Sequence, residues 1–259
     1  MNLLKKAALL LYIPIIILSG SIKCYAAQST CWFIKQSGHT RPSLPEEVKY
    51  IFDYGGYYAD MRLDGDSANK KLYLTFDVGY ENGNVEKILN TLSEKSVPAA
   101  FFVLDNIIIK NTDLVMRMAK EGHHVCNHTK CHRDLTKCTD EEIESDLSAL
   151  EKIYTEKTGL EMSKYFRFPE GRYSEAAIKC INDLGYKTIF WSFAYADWDN
   201  DRQPSEKFAI NKILSNTHNG AVILLHPNSK TNANILSSVI DEWRAMGYEF
   251  GTLDELTSD

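Results

Sequence analysis

From Lys71 onward, short apolar runs alternate with longer stretches in which apolar residues recur at helical spacing, the pattern of strand, helix, strand in a mostly parallel α/β fold. The runs Leu72 to Phe76, Ala99 to Val103, His124 to Asn127, Tyr165 to Arg167, Thr188 to Trp191 and Ala221 to Leu225 are predicted as strands. Between them the spacing predicts helices over Val85 to Glu94, Asp113 to Glu121, Asp140 to Thr158 and Ser174 to Leu184, with a further helix from Ile235 to Met246. Asn84, Thr139 and Ser174 are the expected caps, and Gly122, Gly159, Gly185 and Gly247 the expected stops.

The chain before Lys71 has a different texture. Lys5 and Lys6 precede an apolar run from Ala7 to Leu18, followed by small and polar residues ending in Ala26 and Ala27. That layout predicts an export signal over residues 1–27, with an uncleaved anchor as the alternative; the run is short for a full crossing. Lys23 before Cys24 argues against a lipoprotein. Residues 28–69, with Pro42, Pro45, Gly55 and Gly56, read as an irregular lead-in holding one short helix near Glu46 to Phe52. Residues 70–259 are then one catalytic-sized domain of the α/β barrel kind.

Charge narrows the partners. A formal net charge of −6 argues against nucleic acid, whose binding rests on a concentrated positive field, and leaves a glycan acceptable. Six cysteines would become an odd number if the leader carrying Cys24 were removed, and a core this large needs no disulfide framework.

Function is suggested by where the unusual residues fall. Asp77 follows the first predicted strand, His128 the third, Arg167 the fourth and His226 the last. Parallel α/β folds gather the carboxyl ends of their strands on one face, where loops build the site. His128 and His132, four apart, can share a divalent ion across a helical turn or tight loop, although as a pair they form only part of a site. Cys126 and Cys131 offer a rival zinc reading whose spacing fits no finger or ribbon. Thr75-Phe76-Asp77-Val78-Gly79-Tyr80 supplies a carboxylate and a glycine that permits a sharp turn or close approach. Arg167-Phe168-Pro169-Glu170-Gly171 adds a cation suited to holding a carboxylate, Ala196-Asp197-Trp198 a carboxylate beside an aromatic, and Leu224-Leu225-His226 an imidazole. Taken singly, each also reads as an ordinary turn, surface pair or strand end.

Taken in order, these segments resemble the motifs of the polysaccharide deacetylase family, the NodB-like domain of carbohydrate esterase family 4, from about Lys71 to Leu256. The stretch Thr75 to Gly83, and less specifically the Trp32-Phe33 lead-in, are most similar to the muramic-acid deacetylases that act toward the δ-lactam of spore cortex peptidoglycan. The resemblance implies a distorted (β/α) barrel and metal-assisted removal of an N-acetyl group from peptidoglycan by an exported enzyme. An N-acetylglucosamine or chitin-oligomer deacetylase, and a wall-binding protein of the same fold, are the alternatives. It implies Asp77 as general base, Arg167 as its orienting cation, His226 as general acid and Asp197 as the partner that keeps His226 protonated. His128 and His132 would be metal ligands, Trp198 and Leu224 would line the acetyl pocket, and the Glu170 N–H would help hold the oxyanion. The cofactor implied is a divalent metal, zinc first, with cobalt or another divalent ion as substitutes. Val78 departs from the pattern, standing where most of the family has a ligating Asp, so weaker metal affinity is expected; Glu81 or Asn82 are candidates to compensate. The implied partners are a glycan strand and an amidase that first removes stem peptides; apart from the resemblance, a monomer is expected.

Overall fold

The computed structural model describes residues 29–63 and 69–258; the leader read over residues 1–27 lies outside them. Strands are β1 (Thr30–Cys31), β2 (Gly56–Tyr57), β3 (Lys70–Val78), β4 (Ala100–Val103), β5 (His124–Asn127), β6 (Ser163–Phe166), β7 (Arg172–Tyr173), β8 (Lys187–Ile189), β9 (Ala221–Leu225) and β10 (Tyr248–Phe250). Helices are α1 (Val85–Lys95), α2 (Asp105–Lys110), α3 (Thr112–Lys120), α4 (Asp140–Thr158), α5 (Glu175–Asp183), α6 (Glu206–Leu214), α7 (Lys230–Ala245) and α8 (Leu253–Leu256). The main sheet is parallel and runs β10-β3-β4-β5-β6-β8-β2, with β9 pairing β3. Bridges from Ala59 to Ala221 and from Phe193 to Ile223 bring the far side of the sheet onto β9, so it curls into a distorted barrel.

A period of two sets what faces inward. Leu72, Leu74 and Phe76 of β3 point out to the helices and pack with Phe101, Val103, Val125, Ile223 and Leu225. Their alternates Tyr73, Ala100, Phe102, Cys126, Tyr165, Ile189 and Val222 fill the interior, where Leu253 and Leu256 of α8 pack with them. Continuing the same alternation toward the carboxyl ends carries Asp77, Leu104, His128, Arg167, Trp191, Leu224 and His226 to the barrel mouth. Position along the strand and parity together select the site.

The outer helices follow their caps. Thr139 and Glu142 form a reciprocal capping box, Gly159 closes α4 in the left-handed conformation, and Ile143, Leu147, Leu150 and Tyr154 make its buried stripe. Ser174 caps α5 through the Ala177 N–H. Other expectations need correction. Asn84 makes no side-chain cap; the Glu81 carboxylate accepts from the N–H groups of Gly83 and Val85, while Asn84 Nδ2 donates to the Asn228 carbonyl. The last long helix begins at Lys230, capped by Ser229, because polar residues fill the first turn and hide the start. The helices α2 and α6 and the strand β10 were not predicted from the pattern: α2 and β10 are too brief to show a period, and α6, although as long as α5, buries only Ala209 and Ile213 and so carries a weak apolar stripe.

The lead-in is bound into the fold. Its helix is a 3-10 segment, Glu46–Tyr54, and it supplies β1, paired antiparallel with β7, and β2, an outer strand of the main sheet. Trp32 stacks on Phe190 at 4.2 Å between ring centroids and donates its indole N–H to the Trp191 carbonyl. Among the described residues, Cys31, Cys126, Cys131, Cys138 and Cys180 are free thiols, and no helix is long and apolar enough to cross a membrane.

Candidate active site

The barrel mouth is a cleft of about 630 Å³, a volume suited to a sugar-sized group, lined in part by Asp77, His128, His132, Glu170, Trp198, Leu224 and His226. All the sequence-predicted site residues except Arg167 and Asp197 line it; those two sit behind and hold residues that do.

Arg167 is fully buried, an expensive place for a guanidinium unless every N–H finds an acceptor. Nε donates to the Ile189 carbonyl at 2.9 Å, Nη2 to Thr75 Oγ1 at 2.9 Å and Nη1 to Asp77 Oδ1 at 2.8 Å, while the plane lies 4.1 Å from the Phe102 ring centroid. Burial alone would raise the Asp77 carboxyl; the adjacent Arg167 charge, with His128 and His226, outweighs it and holds the group below the ordinary carboxylate range.

Across the cleft stands a second pair. Asp197 Oδ1 lies 2.7 Å from His226 Nδ1, and Asp197 Oδ2 accepts from the His226 backbone N–H at 2.9 Å. A carboxylate only accepts, so Nδ1 carries the hydrogen. Burial opposes imidazolium, but the Asp197 charge and hydrogen bond, aided by Asp77, raise His226 above the ordinary imidazole value. One cleft therefore holds a carboxylate whose surroundings favour its ionised form and an imidazole whose surroundings favour its protonated form.

His128 and His132 meet in a tight loop, not a helical turn, with ring centroids 5.1 Å apart. Thr129 and His132 both have positive φ, at 69° and 60°. The loop is braced by Asn127 Oδ1 on the Thr129 N–H, Asp146 on the Lys130 N–H and Thr129 Oγ1 on the Arg133 N–H. His128 Nδ1 is 2.8 Å from the Arg167 carbonyl, so it bears the proton and leaves the Nε2 lone pair facing Asp77 Oδ2 at 3.6 Å. Burial pushes His128 down to about 4 despite Asp77, keeping it neutral as a ligand must be. Two imidazoles beside a carboxylate oxygen are a donor set that suits a divalent ion such as zinc. Among the described residues no cluster of three His, Cys, Asp or Glu side chains is already arranged around one point.

Neither compensating residue faces this set: Glu81 caps α1, and Asn82 Nδ2 donates to the Asn228 carbonyl. Cys126 lies in the barrel interior, where burial pushes its thiol up, and Cys131 Sγ contacts Asp105, which removes the thiolate reading. Gly79 does not use a left-handed turn; its place is one of close approach, since a Cβ there would meet Leu104 Cδ1 at 3.0 Å. Glu170 adopts φ 54°, ψ 13°, immediately before Gly171 at φ 64°. Trp198 meets the His226 ring edge-on with centroids 5.8 Å apart.

Sequence reasoning missed Tyr80, Leu104, Trp191 and Asn228 on the cleft wall. Leu104 and Trp191 were available by extending the strand alternation two residues; Asn228 and Tyr80 come from loops that no periodicity marks. Asn228 Nδ2 reaches the Tyr80 hydroxyl at 3.2 Å and the Trp198 carbonyl at 3.0 Å, tying loops together across the rim.

A curled parallel barrel with this constellation at its mouth is the architecture of a carbohydrate de-N-acetylase, and the chain belongs to the polysaccharide deacetylase family, carbohydrate esterase family 4: residues 64–189 match the family described as Polysaccharide deacetylase. It is 35% identical to the peptidoglycan-N-acetylmuramic acid deacetylase PdaA of Bacillus subtilis over 227 residues, 87% of this chain and 84% of that protein. The solved structure of PdaA, described as a family 4 carbohydrate esterase, superposes with a TM-score of 0.82 at 34% identity, covering 88% of this chain and 97% of that one. An uncharacterised 30.6 kDa protein of Geobacillus stearothermophilus is 39% identical over 88% of this chain and 84% of its own length.

Proposed function

We propose that this protein hydrolyses the N-acetyl group of N-acetylmuramic acid in peptidoglycan, a step toward the muramic δ-lactam of spore cortex, after export across the cytoplasmic membrane. The observation that carries the chemistry is the pairing of Asp77 with Arg167 and of His226 with Asp197 in one cleft. The choice of sugar rests on similarity to PdaA over most of both chains.

Hydrolysis of an unactivated amide needs a base for water, a stabilised oxyanion and an acid for the departing amine. Asp77 takes the proton from the attacking water; its free oxygen, Oδ2, faces the cleft beside His128 while Arg167 holds Oδ1. His226 delivers a proton from Nε2 to the amine nitrogen, because Asp197 occupies Nδ1. The backbone N–H of Glu170 contributes to the oxyanion site, and Trp198 and Leu224 enclose the acetyl methyl. Bound by His128 and His132, a divalent ion such as zinc would polarise the acetyl carbonyl and acidify water. Acetate and a free amino sugar are the products, and the freed amine can meet the lactyl carboxylate only where an amidase has removed the stem peptide.

The test is mass spectrometry of glycans with and without stem peptides, after incubation with and without zinc, beside an Asp77→Asn control. Metal-dependent acetyl loss from peptide-free muramic acid is expected. Loss only from glucosamine residues would replace the substrate, and glycan binding without acetyl loss would replace the enzyme reading with a wall-binding one.

A further inference from the structure

We infer that Asn232, on the first turn of α7, is a positioning residue that fixes the Asp197 carboxylate so that one oxygen faces His226 Nδ1. The inference deepens the proposed deacetylase mechanism and rests on it for the kinetic readouts, though not for the spectroscopic one.

Asn232 is buried, and every polar atom of its amide is engaged. Nδ2 donates to Asp197 Oδ2 at 2.6 Å and to the His226 carbonyl at 3.1 Å; Oδ1 accepts from the Tyr195 hydroxyl. The orientation of the amide is forced, since a carboxylate and a carbonyl only accept and the remaining oxygen must take the phenol hydrogen. The result is one continuous chain, Tyr195 to Asn232 to Asp197 to His226. Asp197 Oδ2 is anchored twice, by Asn232 and by the His226 N–H, which leaves Oδ1 alone to meet the imidazole at 2.7 Å.

The support behind Asn232 is equally built. Ser229 Oγ caps α7 by accepting from the Asn232 N–H and donates to Gln203 Oε1, while Gln203 Nε2 donates to the carbonyls of Asp197 and Asp199. The loop carrying Asp197 and the helix following His226 are thereby locked to each other. The positive end of the α7 dipole also lies beside the buried carboxylate. Charged or titratable groups acting on His226 are Asp197 from the β8–α6 loop, Asp77 from β3 and Arg167 from the segment after β6; α7 itself contributes the neutral Asn232 at this contact. A neutral double donor is what this position needs: it fixes an anion without competing for the His226 proton.

The experiment compares Asn232→Ala and Asn232→Asp with the wild type, with thermal melts to establish folding. Proton NMR of the resting protein is expected to show a downfield His226 Nδ1–H resonance that broadens or disappears in Asn232→Ala, a readout needing no turnover. For acetate release, kcat should fall on the order of 10²-fold with KM unchanged, the loss expected from a misplaced proton donor. Asn232→Asp keeps the shape and puts two carboxyls in contact, so they share one proton. While that proton is held, its O–H replaces the amide donor; once it leaves, repulsion displaces Asp197, and the alkaline limb of the pH profile should move to lower pH. A purely electrostatic role predicts the opposite, because an added anion raises His226. An Asn232→Ala protein with unchanged resonance and kcat, or an Asn232→Asp limb that stays or moves up, overturns the inference. Inactive wild type with the resonance behaviour intact would instead overturn the deacetylase reading alone. Should Asn232→Ala not fold, Asn232→Asp decides.

Discussion

Asp77 and His226 are biased toward opposite protonation states by neighbours that the chain places about 90 and 30 residues away. Replacing Asp77 with Asn keeps the contact with Arg167 but removes the proposed base, and acetate release should drop by about 10²- to 10⁴-fold in a folded protein. The pH dependence has a definite sign. Asp77 is held below the ordinary carboxylate range and stays available through neutrality, so the alkaline limb belongs to loss of the proton from His226, whose pKa is raised. Asp197→Asn removes the anion that raises it, and the limb in a kcat/KM profile should shift to lower pH. Val78 borders the cleft, although its side chain belongs to the outer core with Leu74 and Phe76, at the position where the family resemblance expects a ligating Asp. Val78→Asp should tighten divalent-ion binding, measured as the chelator concentration needed to strip the ion; unchanged affinity would mean the carboxylate points elsewhere.

At the scale of elements, the lead-in and the loop after β6 support each other around one glycine. Gly171 has φ 64°, and a Cβ there would meet Trp191 Cη2 at 2.8 Å and Trp32 Cβ at 2.9 Å. Gly171→Ala should therefore destabilise the fold by roughly 1–3 kcal/mol and displace Glu170 from the cleft, read as a lower unfolding midpoint with reduced acetate release. Helices α4 and α5 were legible because each combines a side-chain N-cap with a four-residue buried stripe, signals that lie within the helix's own stretch of sequence. The cap of α1 was not: Asn84 stood in the usual place, yet a contact with Asn228, far along the chain, took its amide and left Glu81 to satisfy the helix. Short pieces such as α2 and β10 depend on neighbours for their conformation and carry no period of their own.

The whole molecule buries imidazoles away from the cleft as well, which sets how it answers to acid. His123 Nδ1 accepts from the Ala99 N–H, and His218 Nε2 lies 2.9 Å from Ser192 Oγ; burial pushes both groups down to about 4. The unfolded chain binds these protons near pH 6.5, before the folded one does. Their contribution is therefore full above about pH 6.5 and is lost as pH falls toward 4, by up to roughly 3 kcal/mol for each group. Thermal unfolding midpoints measured across that window should fall with acidification, and His218→Gln should flatten the dependence.

By itself the sequence determined the alternation along each strand and the residues that end it, since backbone geometry sends successive side chains to opposite faces. From that follow the parallel α/β barrel and the delivery of Asp77, His128, Arg167 and His226 to one rim. The curling of the sheet, the lead-in's strand within it, the diversion of Glu81 to a helix end and the grip of Asn232 on Asp197 were decided only in the tertiary structure. Each depends on which distant segments become neighbours and on how a buried polar group, cut off from water, must be satisfied by whatever donor or acceptor the packing brings within reach.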